Sequence, residues 1–204
     1  MRRPVVVKLG GSVIRSPALS DWLEAIAAGA QPVVIVPGGG ALADEVRNCQ
    51  TALGFGDLAA HRMALLAMDQ LAWAVAGLRA DFEVGDSEQA LFASLARRRI
   101  AVWAPFSLIA KRTDIAPSWT VTSDSLALWL AGRLGARRCY LVKSIRRRRN
   151  AAGAETLAGE GVIDAAFPAM LREVGLPVSL VGDGDQAAFK EALAAAAPCG
   201  AEIT

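Results

Sequence analysis

Two glycine-rich bends, each directly after an apolar run, are the segments of this sequence best suited to bind a ligand. They are Val5-Val6-Val7-Lys8-Leu9-Gly10-Gly11-Ser12 and Val33-Val34-Ile35-Val36-Pro37-Gly38-Gly39-Gly40. Glycine permits positive φ and lets a ligand approach backbone N–H groups closely. Successive N–H groups beside a helix N-terminus bind anions. Either bend alone is explained by a tight strand-to-helix turn. The presence of both bends, with Lys8 ahead of the first, favours two bound phosphates that face each other. The sequence therefore indicates phosphoryl transfer.

Charged and hydroxyl side chains follow two further apolar segments. Lys8 ends the first predicted strand and can direct its ammonium at the first bend, and Lys143 ends a later strand, where it can reach another phosphate oxygen. The segment Thr122-Ser123-Asp124-Ser125 precedes a helix pattern, so Ser123 or Asp124 can also act simply as a helix cap. These groups suit charge stabilisation rather than nucleophilic catalysis.

The sequence lacks the characteristic motifs of several other enzyme classes. The sequence has no Gly-x-x-x-x-Gly-Lys-Ser/Thr loop, no Gly-x-Gly-x-x-Gly after the first strand and no Gly-x-Ser-x-Gly. Its one histidine, His61, excludes sites with several histidine ligands, and the three scattered cysteines have neither disulfide nor metal-ligand spacing. We expect reduced thiols and no metal site built from protein ligands.

The composition indicates a cytoplasmic protein with a large core. The 204 residues are 53% hydrophobic with a formal net charge of +2, no apolar run is long enough for a membrane span, and no signal-peptide pattern follows Met1. Arginine runs at 97–99 and 146–149 are local and lack the interleaved aromatics of many nucleic-acid surfaces. Neither a nucleic-acid nor a membrane partner is expected.

Apolar strand patterns alternate with helix periods along the whole chain. Strands are predicted at residues 5–9, 33–36, 82–84, 100–104, 139–142 and 178–181. Helices are predicted at residues 19–28, 41–53, 58–78, 87–97, 123–134, 165–174 and 186–196. Continuously apolar strands are typical of parallel sheets buried on both faces, so residues 1–204 are expected to form a single α/β domain, a three-layer αβα sandwich with a mainly parallel sheet. Long loops at 107–119 and 144–161 leave the carboxyl ends of strands, where ligands bind.

The order of these motifs resembles the amino acid kinase superfamily. The matching segments are Lys8-Leu9-Gly10-Gly11-Ser12, Pro37-Gly38-Gly39-Gly40, Thr122-Ser123-Asp124-Ser125, Leu141-Val142-Lys143-Ser144 and Cys199-Gly200-Ala201-Glu202-Ile203. The segments 118–125, 56–64 and 68–70 are similar to a small branch of that superfamily, the aminomethylfuran phosphate kinases of methanofuran and methylofuran biosynthesis. The short chain agrees with that branch.

The resemblance implies a fold, a reaction and a role for each matched position. The reaction is transfer of the γ-phosphoryl group of ATP, with Mg²⁺, to a small anionic metabolite, most specifically the phosphate of aminomethylfuran phosphate. The implied catalytic residues are Lys8, Asp124 and Lys143, with Asp124 holding the lysine ammonium and assisting the magnesium shell. The implied nucleotide-phosphate site comprises Gly10, Gly11, Ser12, Ser144 and Arg146, with Gly10 and Gly11 giving their N–H groups. The implied acceptor site comprises Gly38, Gly39, Gly40, Asp44, Asp57, His61, Thr122 and Ser123.

Three acceptor-site residues each have a structural alternative. His61 lies on a helix pattern with Asp57 and Met68 on roughly one face, which is also compatible with a core position or a subunit interface. Asp57 and Asp44 can pair with a cationic substrate group such as an aminomethyl, or act as a helix cap and a first-turn dipole partner respectively. In a related isoprenoid kinase a histidine on a comparable helix binds the acceptor phosphate.

One departure from the family pattern leaves other functions open. After Lys143-Ser144 the family usually continues with aspartate and glycine, whereas this chain continues with Ile145 and four arginines. The arginines can form bidentate hydrogen bonds to phosphates. Alternatively, the change indicates a different nucleotide preference or a loss of catalytic activity. The alternatives are a uridylate or isopentenyl phosphate kinase, a nucleotide-binding subunit without activity, and, last, a nucleic-acid binder. Trp73, Met68 and Leu66, taken as exposed on the long helix, predict a homo-oligomer.

Overall fold

The computed structural model describes residues 2–29, 31–146 and 150–204, and these residues form one seven-stranded sheet. The strands are β1 (Val5–Leu9), β2 (Val33–Pro37), β3 (Phe82–Gly85), β4 (Ile100–Trp103), β5 (Cys139–Arg146), β6 (Val178–Asp183) and β7 (Ala201–Ile203). Their order across the sheet is β3-β4-β2-β1-β5-β6-β7. Every neighbouring pair is parallel except β6 and β7. The predicted α/β class with a mainly parallel sheet is confirmed.

Helices join the strands and cover both faces of the sheet. They are α1 (Gly11–Ile14), α2 (Leu19–Ala27), α3 (Gly40–Leu53), α4 (Asp57–Gly77), α5 (Glu88–Ala96), α6 (Phe106–Ile109), α7 (Ser123–Arg133), α8 (Ala154–Gly159), α9 (Phe167–Val174) and α10 (Gln186–Ala195). The seven longer helices and the six longer strands lie where the sequence predicts them, with ends displaced by at most a few residues.

Alternation along the strands divides the interior into two cores. On β1, Val5, Val7 and Leu9 pack with α2 and α10 in one core, while Val6 packs with α7 in the other. Successive strand side chains point to opposite faces, so Lys8 lies on the same face as Val6, beneath α7. The lysine is therefore placed in a layer that is otherwise apolar.

Helix α4 contributes to both cores. Leu65 and Met68 from its first half belong to the core under α7, and Ala72 and Val75 from its second half belong to the core under α2. Helix α4 therefore passes from one core to the other. Its first half lies beside the carboxyl ends of the strands. The prediction that Met68 is exposed was wrong, because its side chain is buried in the core under α7.

The short elements were not predicted. Strand β7 has three residues and α1 and α6 have four each, too few for a hydrophobic period to show. The prediction of a long loop at 144–161 was wrong in part. Strand β5 continues to Arg146, Ala152 forms an isolated β-bridge with Ile203, and α8 occupies Ala154–Gly159. Similarly, α6 lies partly inside the loop predicted at 107–119.

The arginine run at 97–99 is partly used in the fold, since Arg97 and Arg99 form ion pairs with Glu83 at 2.6 and 3.2 Å. Of the run at 146–149, residues 147–149 lie outside the described residues. In the part of the chain that the structure describes, none of the helices is both long and apolar enough to cross a bilayer.

Candidate functional site

Strand order brings the two glycine bends to the same edge of the sheet. β1 lies between β2 and β5, and Leu9 is in register with Pro37 on one side and Val142 on the other. Because all three strands are parallel, the bends after β1 and β2 and the lysine after Val142 meet at one rim. Chain segments more than 100 residues apart thus form one site.

The two bends pack backbone against backbone. A Cβ atom added to Gly11 would lie 2.4 Å from the Gly40 Cα and 2.5 Å from the Gly40 N, and one added to Gly38 would lie 2.7 Å from the Gly11 N. Gly40 also has a φ of +52°, which favours glycine. Any side chain at these positions would separate the bends, so the glycines set the distance between the two anion-binding segments.

Two of the predicted N–H donors are already engaged. The Gly10 N–H donates to the Val142 carbonyl at 2.9 Å, and the Gly38 N–H donates to the Leu9 carbonyl at 2.8 Å. Both bonds extend the strand pairing by one residue, so the predicted donation from the Gly10 N–H to a phosphate was wrong, while the place of Gly38 in the acceptor site stays a prediction. The first turns of α1 and α3 retain N–H groups without intrahelical partners, at Gly11 and Ser12 and at Gly40 and Ala41.

A buried carboxylate joins the two lysines. The Lys8 Nζ lies 2.8 Å from Asp124 Oδ1, and the Lys143 Nζ lies 2.5 Å from Asp124 Oδ2. The Lys8 and Asp124 side chains are each 4% exposed and Lys143 is 17% exposed. Lys143 shares its sheet face with Cys139 and Leu141, which pack in the same core as Val6, so both lysines point toward the start of α7. We call this group the Lys8–Asp124–Lys143 triad.

The charges of the triad stabilise one another. Burial would raise the pKa of Asp124, but the ammonium groups of Lys8 and Lys143 outweigh it and hold this pKa below its ordinary value. Burial, followed by repulsion from Lys8, lowers the pKa of Lys143 to about 8 despite the attraction of Asp124. With all three groups ionised the triad carries one net positive charge beside the first bend, which suits a group that accumulates negative charge.

A residue that the sequence reading missed fixes the start of α7. The Asp164 carboxylate accepts hydrogen bonds from the Thr122 N–H and hydroxyl, both at 2.9 Å, from the Ser125 N–H at 3.0 Å, and from the Ser125 hydroxyl. Thr122 is the N-cap residue but makes no side-chain capping bond, and Asp124 is committed to the lysines. The predicted caps, Ser123 or Asp124, were therefore wrong. Asp164 is 42 residues from Thr122 in the chain, so no local pattern indicates it.

Removal of the Asp164 carboxylate is expected to destabilise the protein. Asp164→Ala leaves two N–H groups and two hydroxyls at the start of α7 without their acceptor, which should cost about 2–3 kcal/mol of unfolding free energy. Urea unfolding measures this change, with Glu191→Ala on the exposed face of α10 as the matched carboxylate control. Equal urea midpoints for the two variants would contradict a capping role for Asp164.

A cavity of about 220 Å³ lies between α3, α4 and the loop that precedes α7. All eight residues of the expected acceptor site line it: Gly38, Gly39, Gly40, Asp44, Asp57, His61, Thr122 and Ser123. Gly11 and Ser12 reach it from the first bend. Apolar lining comes from Leu65, Met68, Val121 and Leu126, and the remaining polar wall includes Arg47 and Trp119, which the sequence reading did not identify. The cavity has the size of a small metabolite.

His61, Asp44 and Asp57 each had a purely structural role as an alternative to ligand binding, and the structure gives a different answer for each. His61 is 8% exposed and lines the cavity, and burial, followed by the charge of Arg62, lowers its pKa so that a neutral imidazole is favoured. Asp44 forms an ion pair with Arg47 at 2.9 Å and does not lie in the first turn of α3. Asp57 is the first residue of α4 rather than its N-cap, which is Gly56, and its Oδ1 accepts from the Gln50 side-chain amide at 2.8 Å.

The remaining two expected nucleotide residues lie on the far side of the triad from this cavity. Ser144 and Arg146 are exposed at the end of β5, and Arg146 is in register with Asp183 of β6. Neither residue lines the cavity. The rim therefore has a glycine-and-cavity side and a β5 side, with Lys8, Asp124 and Lys143 between them.

The residues present fit a nucleotide polyphosphate better than a protein-bound metal. The described residues contain no group of three or more histidine, cysteine or acidic side chains placed to hold a metal ion. Both Asp124 oxygens lie against lysine ammonium groups, and the expected help of Asp124 in the magnesium shell stays a prediction. The Lys8 ammonium group lies against the first bend, where its positive charge favours an anion such as a phosphate. Mg²⁺ is commonly carried by the substrate phosphates themselves.

Comparison with known proteins identifies the family. Residues 3–146, which contain both glycine bends and the complete triad, match the sequence pattern of the amino acid kinase family. The chain belongs to the amino acid kinase family. It is therefore a phosphotransferase, a kinase for a small metabolite, and the predicted enzyme class is confirmed.

Relatives of known structure or curated function agree with this assignment. The chain is 28% identical over 180 residues to the [5-(aminomethyl)furan-3-yl]methyl phosphate kinase of Methanocaldococcus jannaschii. The matched region covers 82% of each of the two chains. Its fold is similar to that of uridylate kinase from Archaeoglobus fulgidus (TM-score 0.74, 18% identity, 98% of this chain and 100% of that one). The UMP kinase of Bacillus anthracis is also similar (TM-score 0.71, 13% identity, 99% and 96% covered). The suspected resemblance is confirmed, and the two solved structures establish the amino acid kinase fold.

Proposed function

We propose that this kinase transfers the γ-phosphoryl group of ATP to the phosphate of [5-(aminomethyl)furan-3-yl]methyl phosphate or a close analogue, giving a diphosphate. Membership of the family implies ATP as the donor, and the relative from Methanocaldococcus jannaschii is named for this acceptor. The observation that carries the proposal is the Lys8–Asp124–Lys143 triad beside a cavity that opens onto the second glycine bend.

The acceptor phosphate is assigned to the start of α3. The free N–H groups at Gly40 and Ala41 and the positive end of a 14-residue helix favour an anion at this point. His61, buried and favoured in its neutral form, can donate one further hydrogen bond. A phosphate monoester has a second pKa near 6, so it is already an anionic nucleophile at neutral pH. The reaction therefore needs no general base from the protein.

The donor phosphates are assigned to the first bend and the lysines. The N–H groups of Gly11 and Ser12 and the ammonium groups of Lys8 and Lys143 meet the charge that spreads over the transferred group, and Asp124 keeps both ammonium groups in place. Positioning and electrostatic stabilisation provide most of the catalysis in phosphoryl transfer. Mg²⁺, carried by the nucleotide, supplies further charge neutralisation. The rest of the polyphosphate is assigned to Ser144 and Arg146, and their exposure at the end of β5 supports this.

An acceptor panel with ATP consumption as the readout tests the proposal. The panel comprises [5-(aminomethyl)furan-3-yl]methyl phosphate, UMP and isopentenyl phosphate, each with its dephosphorylated counterpart as control. We expect turnover with the furan phosphate at the highest kcat/KM and none with the dephosphorylated compounds. Higher kcat/KM for UMP or isopentenyl phosphate would reject the proposed acceptor. ATP binding without turnover of any compound would instead favour a nucleotide-binding subunit that lacks activity.

The charge of Lys143 is expected to shape the pH dependence. Burial beside Lys8 lowers the pKa of Lys143 to about 8, so the free enzyme loses this positive charge as the pH rises through 8. The pH profile of kcat/KM reports groups of the free enzyme. The value of kcat/KM for ATP should therefore be highest near pH 7 and fall above pH 8. Lys143→Gln should give a lower, flat profile over the same range, and an unchanged fall in that variant would assign the ionisation to another group.

The proposal includes a homo-oligomer in a reducing compartment such as the cytoplasm. Leu66 and Trp73 on the outer face of α4 are 43% and 68% exposed, which supports self-association through this helix. The three cysteines at unpaired spacing support a reducing compartment. Sedimentation equilibrium measures the stoichiometry.

A further inference from the structure

One wall of the cavity is a continuous network of five side chains. Asp44 pairs with Arg47, and the Arg47 guanidinium lies 4.1 Å from the centre of the Trp119 ring. The Trp119 indole N–H donates to Gln50 Oε1 at 2.7 Å, and Gln50 Nε2 donates to Asp57 Oδ1 at 2.8 Å. Four of the five residues line the cavity, and Gln50 connects two of them from behind.

The network fixes both the Trp119 ring and the Asp57 carboxylate. An indole N–H can only donate and a carboxylate can only accept, so Gln50 has one amide orientation that serves both. The ring is half-buried, anchored at its N–H and covered by Arg47. An aromatic surface held in this way offers a flat contact at little further cost in side-chain entropy. Leu65, Met68 and Leu126 supply apolar surface in the same cavity.

Asp57 is the carboxylate of this wall that remains available to a cation. Asp44 is already neutralised by Arg47, whereas Asp57 has no ion pair among the described residues and uses one oxygen for an uncharged amide. Asp57 lies in the first turn of α4, at the positive end of the helix dipole. The favoured form of His61, one turn further along the same helix, is neutral. The cavity therefore has a negative charge at Asp57 and anion-binding N–H groups at the second glycine bend.

This distribution of charge in the cavity indicates which charged groups the ligand carries. Resting on the kinase function proposed above, we infer that Asp57, held by Gln50 and Trp119, selects acceptors that carry an ammonium group on a flat ring opposite the phosphate. The phosphate binds at the glycine bend, the ring lies against Trp119 and the apolar side chains, and the ammonium pairs with Asp57. Asp57 thus determines specificity rather than catalysis, and it separates this site from those that take a neutral ring.

A cycle of two ligands and two proteins isolates the Asp57 contact. The ligands are meta-(aminomethyl)benzyl phosphate and benzyl phosphate, which differ only by the aminomethyl group, and binding to the full chain is measured by calorimetry. Wild type should bind the aminated phosphate about tenfold more tightly, equivalent to about 1.4 kcal/mol. Asp57→Asn should abolish this preference and leave the affinity for benzyl phosphate unchanged. Glu191→Gln, which removes an exposed carboxylate on α10 outside the cavity, is the matched control and should keep the preference.

The outcomes separate this inference from the proposed function. Equal loss of affinity for both ligands in Asp57→Asn, loss of the preference in Glu191→Gln, or no binding of either ligand to wild type would each overturn it. Melting temperatures of all variants establish that they are folded. The calorimetric readout needs no turnover, so failure of the furan phosphate as an acceptor in the ATP assay and absence of the Asp57 contact are distinguished.

Discussion

Replacing Lys8 with methionine is expected to lower kcat by about a hundred- to a thousandfold, the usual effect of removing one preorganised charge or donor from a transition state. Methionine has a similar length and suits the apolar layer beneath α7, so the packing around β1 should change little. Asp124 keeps Lys143 at 2.5 Å, so the buried carboxylate stays paired. The loss should therefore appear in kcat, with the melting temperature close to that of wild type.

Steady-state kinetics with saturating ATP measure this effect, and Lys190→Met on the exposed face of α10 is the matched control. The control should leave kcat unchanged. A Lys8→Met enzyme with the turnover of wild type would show that Lys8 serves only to neutralise Asp124. A fall in KM for ATP together with kcat would also count against a charge acting mainly in the transition state.

The second large effect is expected from Gly11→Ala. The added Cβ would lie 2.4 Å from the Gly40 Cα and 2.5 Å from its N, and both are backbone atoms that cannot rotate away. The two bends must separate, which should cost about 1–3 kcal/mol of unfolding free energy. Because a displacement of about 1 Å in a reacting group can cost a hundredfold in rate, kcat/KM should fall by at least that factor.

Gly77→Ala is the matched control, since a Cβ at Gly77 meets no heavy atom within 4 Å and the residue has no positive φ. That variant should retain full activity and gain about 0.5–1 kcal/mol from better helix propensity. Urea unfolding and kcat/KM are measured on both proteins. Full activity in Gly11→Ala would show that the spacing of the bends is not critical for phosphoryl transfer.

Much of this architecture is predictable from the sequence because it depends on local patterns. Apolar runs such as 5–9 and 33–36 are too short for helices and too continuous for half-exposed strands, so they indicate a buried parallel sheet. Elements of three or four residues, such as α1 and β7, carry no such period and were missed. All eight expected acceptor residues were found because they belong to segments whose type and order resemble the family pattern, and their roles remain proposals.

Other features depend on contacts between distant segments. Nothing near Asp164 in the chain indicates that it caps a helix 42 residues earlier. The link from Trp119 to Gln50 spans 69 residues and likewise has no local signal. The N–H groups of Gly10 and Gly38 looked available because their acceptors, the carbonyls of Val142 and Leu9, belong to neighbouring strands.

The sequence by itself determined the strands, the glycine bends at their ends and the lysines beside them, since each is encoded in a few consecutive residues. Tertiary structure alone decided that β1 lies between β2 and β5, and with it the meeting of Lys8, Lys143 and Asp124 within 3 Å. The physical reason is that register and strand order depend on which apolar surfaces exclude water together, a property of the whole chain. The same packing decided that Asp44 pairs with Arg47, while Asp57 lines the cavity and pairs with the Gln50 amide instead.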